Sequence, residues 1–80
     1  MDKSFMIVAG FSFEKVEESK FGKPYLLVID LKNEEQQAQY VVSLGGIVER
    51  VSTFTDSNRR GKLQRVIETN TTEILEEFDA

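Results

Sequence analysis

Most catalytic and metal centres use histidine or cysteine, and this 80-residue chain contains neither. Histidine is the side chain that titrates near neutral pH, and it is the commonest metal ligand. Cysteine supplies the thiolates used in covalent catalysis and metal binding. We therefore expect a protein that is not an enzyme and that has no metal site and no cofactor. The lack of cysteine is also consistent with a reducing compartment.

Aromatic and lysine side chains do offer binding chemistry, and they alternate through the turn Ser19–Tyr25 and on either side of it. Exposed aromatic rings stack on nucleobases, and lysine ammonium groups pair with phosphates. The alternative is that the rings pack across strands and that the lysines only protect a sheet edge. The candidates are Phe21, Tyr25 and Tyr40 for stacking, and Lys15, Lys20 and Lys23 for phosphate contact.

A second basic segment runs from Ser57 to Ile67 and contains no acidic residue. Because the guanidinium fork of arginine matches phosphate oxygens, we add Arg59, Arg60 and Lys62 to the candidate nucleic-acid-binding residues. A solvated loop is the alternative interpretation. The net charge of −4 opposes indiscriminate binding to nucleic acid, but acidic residues concentrate after this segment, from Glu68 to Asp79.

The acidic C-terminal segment allows a function of a different class, which is binding to a basic protein surface. Acidic groups would steer the chain to its partner, and an apolar helical face would form the centre of the interface. Such a domain would be an accessory subunit or an inhibitor of a nucleic-acid-binding enzyme. The ordinary alternative is a helix whose apolar face packs on its own domain. The residues concerned are Ile74, Leu75 and Phe78 on the apolar face, and Glu73, Glu76 and Glu77 beside them.

Alternating hydrophobic residues in the first half of the chain predict three strands. The first extends from Ser4 to about Glu18, with Gly10 as a bulge or bend. A turn at Lys20–Pro24 leads to the second strand, Tyr25–Leu31, which apart from Asp30 is apolar on both faces, as in a closed sheet. Gln39–Leu44 is the third. The expected buried face of the first strand comprises Phe5, Ile7, Ala9, Phe11 and Phe13.

The second half of the chain is less regular. Gly45-Gly46 ends the third strand, and apolar residues at spacing i, i+1, i+4 and i+7 predict a short helix over Ile47–Phe54. We expect a polar loop over Thr55–Lys62 and a fourth strand over Leu63–Thr69. From Asn70 onward the pattern favours a helix, with a closing strand as the alternative.

The hairpin segment Val16–Tyr25, with Val28, Ile29 and Leu31 after it, resembles the first hairpin of OB-fold single-stranded-DNA-binding proteins, including small phage-encoded members. Tyr40–Ser43, leading into Gly45–Val48, resembles the third strand of that barrel where it enters the helix. The likeness covers about residues 11–54.

This resemblance implies a mainly β protein with an OB-like barrel in the order β-β-β-α-β. The length of 80 residues predicts a single domain over residues 1–80. The resemblance also implies that single-stranded nucleic acid is the partner, in a replication or recombination role. Tyr25 and Lys23 would lie at the mouth of the binding groove, with Phe13 or Lys15 opposite. No signal peptide or membrane-spanning segment is visible, so we expect a cytoplasmic protein without a membrane partner, and a homo-oligomer is left open.

Overall fold

In the computed structural model of the protein, residues 3–17 and 22–80 are described. They form one five-stranded antiparallel sheet, whose strands are neighbours in their order along the chain, followed by two helices. The strands are β1 (Lys3–Val8), β2 (Phe11–Val16), β3 (Tyr25–Asp30), β4 (Gln37–Ser43) and β5 (Gly46–Ser52). The helices are α1 (Ser57–Thr69) and α2 (Thr71–Asp79).

The predicted mainly β class is confirmed, but the barrel is wrong. Among the described strands, β1 and β5 are the two edges of the sheet and do not pair with each other, so the sheet stays open. The order β-β-β-α-β is not found either, since five strands precede both helices. The physical reason is that the two helices, rather than a closing strand, cover the apolar face of the sheet.

The long first strand predicted from alternation is instead two strands joined by a turn at Ala9 and Gly10. Both residues have positive φ, 54° and 82°, as the tightest type of hairpin turn requires. Val8 pairs with Phe11 across this turn. The chain reversal also separates the predicted face: Phe11 is fully buried, whereas Ile7 is 63% exposed.

The next two predicted strands are confirmed with small shifts of their ends. β2 and β3 form the predicted hairpin, in which Val16 pairs with Tyr25. Gly22 has a φ of 74°, in the region that glycine adopts without strain. The predicted turn residues Lys20 and Phe21 lie outside the described residues. β4 corresponds to the predicted third strand.

The helix predicted over Ile47–Phe54 is wrong, because this segment forms β5. The strand ladder explains the misleading spacing. Val51 pairs with Gln39, but Glu49 pairs with the next residue of β4, so the strand carries one extra residue between them. Such a bulge places residues three apart on one face of the sheet, and this spacing imitates a helix.

The predicted loop over Thr55–Lys62 and the predicted strand over Leu63–Thr69 are also wrong, because together they form α1. Asp56 caps this helix by accepting hydrogen bonds from the backbone nitrogens of Asn58 (2.9 Å) and Arg59 (3.2 Å). Aspartate is a preferred residue at this position. The preference for a C-terminal helix over a closing strand is confirmed by α2.

The hydrophobic core lies between one face of the sheet and the two helices. Neither helix is long and apolar enough to cross a membrane. Alternate residues of each central strand enter the core. Both helices pack on this same face, so in the described part of the chain the other face of the sheet has no helix against it. The core residues are Phe11, Phe13, Leu26, Val28, Ala38, Tyr40, Leu63, Val66, Ile74 and Phe78.

Candidate functional site

Arg59, a predicted phosphate contact, is bound within the protein. Its Nε donates a hydrogen bond to Asp30 Oδ2 at 2.9 Å, and its Nη2 donates to Asp30 Oδ1 at 3.0 Å. The guanidinium carbon lies 4.3 Å from the centre of the Phe11 ring, within the range of a cation–π contact. The hydrogen bonds from Arg59 lower the pKa of Asp30 even though burial opposes the shift. This arginine therefore joins α1 to the sheet.

Two further predicted cations also have partners inside the chain. Arg60 Nη2 lies 2.7 Å from Glu49 Oε2, which links α1 to β5. Lys15 Nζ donates a hydrogen bond to the backbone oxygen of Phe78 at 2.7 Å and lies 4.9 Å from the centre of its ring. Lys15 is also 3.9 Å from Glu17. Phosphate binding at either cation would have to compete with these contacts.

Tyr40, a predicted stacking residue, is only 6% exposed. Its side chain belongs to the core between the sheet and the helices. Burial, with a smaller contribution from the Glu49 carboxylate, raises the pKa of its phenol to about 12. A buried ring has no open face for a base, so Tyr40 contributes to packing.

Lys23 and Tyr25 are brought together with a basic residue that the sequence analysis did not select, Arg50. The three residues line a cleft of about 480 Å³ where β3 begins and β4 ends. Lys62 is exposed but lines a separate hollow beside Arg65. Lys20 and Phe21 lie outside the described residues. Of the predicted nucleic-acid set, the structure thus groups only Lys23 and Tyr25. The remaining lining of the cleft is Pro24, Val41, Val42, Ser43 and Phe78.

The helix-free face is a second candidate surface, and the strand register shows its composition. Three rows of paired residues cross it, and no other element of the described residues packs on it. The first row is Ile7, Ser12, Ile29 and Gln37. The second is Ser4, Glu14, Leu27, Gln39 and Val51. The third contains the pairs Val16–Tyr25 and Val41–Val48.

Large aliphatic side chains of the helix-free face are open to solvent. Ile7 is 63% exposed on β1, and on the other side of the sheet Val48 is 59%, Val51 is 49% and Val41 is 39% exposed. The three rows contain a single charged residue, Glu14, and the cations Lys23 and Arg50 adjoin the third row at the cleft beside Tyr25 and Val41. An apolar patch bordered by polar and charged residues in this way usually marks an interaction surface. Simple alternation along the chain does not reveal this face, because the turn at Ala9 and the bulge in β5 interrupt it.

The exposed edge strand β5 differs from the helix-free face. It carries two charged residues at its bulge, Glu49 and Arg50. Charges and bulges on an edge strand prevent another strand from pairing with it. The edge is therefore a poorer contact surface than the face.

The residues of the predicted protein-binding helix are divided between the core and solvent. Ile74 and Phe78 are buried against the sheet, and Leu75 is half-buried. This is the ordinary interpretation of the amphipathic pattern, in which the apolar face packs on its own domain. The acidic residues Glu73, Glu76 and Glu77 are exposed on α2. The charge of this helix therefore lies on the helical side of the molecule, away from the helix-free face.

No group of three or more acidic side chains in the described residues is placed to hold a metal ion. Comparison of the chain with protein-family models, with curated proteins and with solved structures gave no match. Any proposal about function therefore depends on the surfaces described above.

Proposed function

We propose that the chain is a non-catalytic protein-binding domain and that the helix-free face is its contact surface. The observation that carries the proposal is the exposure of Ile7, Val48 and Val51 on one continuous sheet face. Burying such side chains against a partner gains about 25 cal/mol for each Å² of apolar surface removed from water. The face supplies that apolar surface without any rearrangement of the domain.

The chemistry of the helix-free face favours a protein over a nucleic acid. Among the described residues of its three rows, Tyr25 is the only aromatic residue and none is lysine or arginine. Lys23 and Arg50 adjoin the face at the cleft beside Tyr25. Surfaces that bind single-stranded nucleic acid combine several stacking rings with cations that follow the phosphates. Aliphatic side chains instead match the apolar centre of a protein interface.

Site-specific photo-cross-linking in the producing cells tests this function. Val48 is replaced by the photoreactive residue p-benzoylphenylalanine, and the matched control carries it at Glu76, which is exposed on α2. We expect covalent adducts at position 48, identified by peptide mass spectrometry, and none at position 76. The absence of adducts at position 48, or the same adducts from both positions, would contradict the proposal.

Single-stranded nucleic-acid binding is a second candidate, favoured by the cleft that groups Lys23, Tyr25 and Arg50. A base would stack on Tyr25 while the two cations meet phosphates. Fluorescence anisotropy with labelled oligonucleotides at low salt measures this directly. We expect Tyr25→Ala to cost about 1–3 kcal/mol of binding free energy. Lys62→Gln, which removes one positive charge outside the cleft, is the control.

Single-stranded nucleic-acid binding at the cleft predicts two further results in the same binding measurements. Affinity must fall steeply with added salt, because cations that neutralise phosphates release counterions. Tyr25→Ala must weaken binding more than Lys62→Gln does. Equal losses for the two variants would indicate diffuse attraction and would remove the cleft as the site.

A further inference from the structure

Building on the proposed protein-binding function, we infer that the helix-free face binds the same face of a second copy of this chain. The product is a two-fold symmetric dimer in which two sheets stack and the four helices lie outside. In such an interface the same patch serves both partners, so it must be complementary to itself. Three properties of the face meet this condition.

The first property is the distribution of charge. The chain carries a net charge of −4, so two copies repel each other unless their acids stay apart. Glu73, Glu76 and Glu77 are exposed on α2, on the far side of the sheet from the proposed contact. Stacked sheets lie about 10 Å apart, and the helices add a further layer on each side. The helical acids of the two copies are then separated by more than the Debye length of about 8 Å in physiological salt. Glu14 is the one acidic residue of the three rows that enters the contact.

The second property is the size of the face. Five strands spaced about 4.8 Å apart, each about six residues long at about 3.3 Å per residue, cover roughly 24 × 20 Å. This agrees with molecular extents of 30 × 25 × 20 Å. Stacking two copies therefore removes on the order of 1,000 Å² of surface from water, which is close to the lower limit for a specific interface. The area suits a reversible dimer.

The third property is the chemistry of the polar groups within the face. Gln37 and Gln39 lie in the first and second rows. A primary amide carries both donors and acceptors, so it can pair with the same group of another copy across a two-fold axis. A face containing several like charges could not be buried against itself in this way.

The structure also limits the assembly to two copies. Each copy has one helix-free face, and dimerisation buries the helix-free faces of both copies. Further growth through the two edge strands is opposed by the bulge that each of them carries and, on β5, by Glu49 and Arg50. A closed dimer, rather than a filament, is the expected product.

Sedimentation equilibrium over a range of concentrations tests the inference with the intact chain. We expect the mass to rise with concentration from 9.2 kDa towards twice that value. Val48→Lys and Ile7→Lys, on opposite sides of the face, should each remain at 9.2 kDa. Gln64→Lys adds the same charge at an exposed position of α1 and should dimerise like the unmodified chain.

Circular dichroism spectra establish that each variant is folded. If Val48→Lys is unfolded, Val48→Thr is tested in its place, because threonine suits a strand and nearly preserves the side-chain volume. We expect Val48→Thr to weaken dimerisation at least tenfold. A mass of 9.2 kDa at a chain concentration of about 1 mM, far above the affinities of ordinary interfaces, would overturn the inference. A dimer that is unaffected by folded variants at both positions would also overturn it.

Results that overturn the dimer can be distinguished from results that overturn the proposed protein-binding function. If the purified chain is monomeric but position 48 forms photo-adducts with a different, identified protein, only the second-copy inference is lost. Adducts at position 48 that join two copies of this chain support both.

Discussion

Asp30 is fully buried at the end of β3, and Arg59 on α1 binds its carboxylate with two hydrogen bonds of 2.9 and 3.0 Å. The same guanidinium lies 3.4 Å from the backbone oxygen of Ala9, in the turn between β1 and β2. One side chain thus connects the first helix with β3 and with the turn between β1 and β2. This connection helps to hold the helices on one face of the sheet, and the opposite face is left without a helix.

Because Arg59 belongs to a buried ion pair and Arg60 to an exposed one, substitution of Arg59 should lower the free energy of unfolding much more than substitution of Arg60. Arg59→Leu leaves the buried Asp30 carboxylate without its paired guanidinium, with a hydrogen bond from the backbone nitrogen of Lys32 (2.9 Å) remaining, and breaking a buried pair typically costs about 3–5 kcal/mol. Arg60→Leu removes an ion pair with Glu49 in which the arginine side chain is 40% exposed, and exposed pairs contribute about 0–1 kcal/mol. Urea unfolding measures both free energies.

Arg59→Lys is an informative intermediate, because it keeps the charge but loses the two-pronged hydrogen bond. We expect its stability to fall between those of the unmodified chain and Arg59→Leu. Similar losses for Arg59→Leu and Arg60→Leu would show that the buried pair is not a special contributor to stability.

Asp30 also predicts how stability responds to acid. Its pKa in the folded state lies below the ordinary value of 3.8, chiefly because of the hydrogen bonds from Arg59. Below pH 3.8 the unfolded state therefore takes up a proton that the folded state still excludes. The stabilisation is complete above this pH and is lost as the pH falls through the lower, folded-state pKa.

Urea unfolding between pH 6 and pH 2 checks this response by comparing the unmodified chain with Asp30→Asn. The stability advantage of the unmodified chain should shrink as the pH falls below about 3.8. A constant difference across the range would mean that Asp30 titrates alike in the folded and unfolded states.

Tyr40 predicts a second change in stability, at alkaline pH. Burial raises the pKa of Tyr40 from 10.0 to about 12, so the unfolded state loses its phenol proton first. Stability is complete below pH 10 and falls as the pH rises to the folded-state pKa, by about 1.4 kcal/mol per pH unit. In a Tyr25→Phe background, the absorbance change of the remaining tyrosine should have its midpoint near 12. A midpoint near 10 would show that the ring is open to water.

The turn between β1 and β2 predicts a stabilising substitution. Ala9 has a φ of 54°, a left-handed conformation that is unfavourable for alanine and that asparagine tolerates better. We expect Ala9→Asn to stabilise the fold by about 0.5–1 kcal/mol. Thermal unfolding provides the measurement, and an unchanged or lower midpoint would contradict the turn geometry.

Substitution of Gly10 should lower the stability of the fold, and part of this loss can be separated from backbone strain. Gly10→Ala places a Cβ on a residue with a φ of 82°, 3.2 Å from Arg59 Nη2. Gly22→Ala is the matched control, since its φ is 74° but nothing lies within 4 Å of the added carbon. The strain is common to both, so the additional loss in Gly10→Ala reports the disturbance of Arg59. Equal losses would indicate that Arg59 moves aside without cost.

Local sequence patterns predicted the elements that are specified by residues within the element itself. The hairpin of β2 and β3 follows from alternation on both sides of a turn containing Gly22 and Pro24. The helix α2 follows from the spacing of Ile74 and Phe78. In both cases, the residues that specify the element lie within it.

The errors arose where a local rule was broken or where a partner lay far along the chain. Alanine rarely adopts positive φ, so the turn at Ala9 could not be distinguished from a bend in one long strand. The extra residue in β5 imitated helical spacing. Arg59 looked available for phosphate because its partner, Asp30, lies 29 residues away. The candidate surface was missed for the same reasons, since its rows exist only after the five strands are aligned.

Hydroxyl-radical footprinting tests most directly whether the helix-free face is a contact surface. Leu44, at the tip of the turn between β4 and β5, is fully exposed and serves as the internal reference. Oxidation of Val48 relative to Leu44 is compared between the dilute purified chain and the chain inside the cells that produce it. The account predicts that this ratio falls markedly in cells, with Ile7 and Val51 protected together with Val48. An unchanged ratio at all three residues would contradict it.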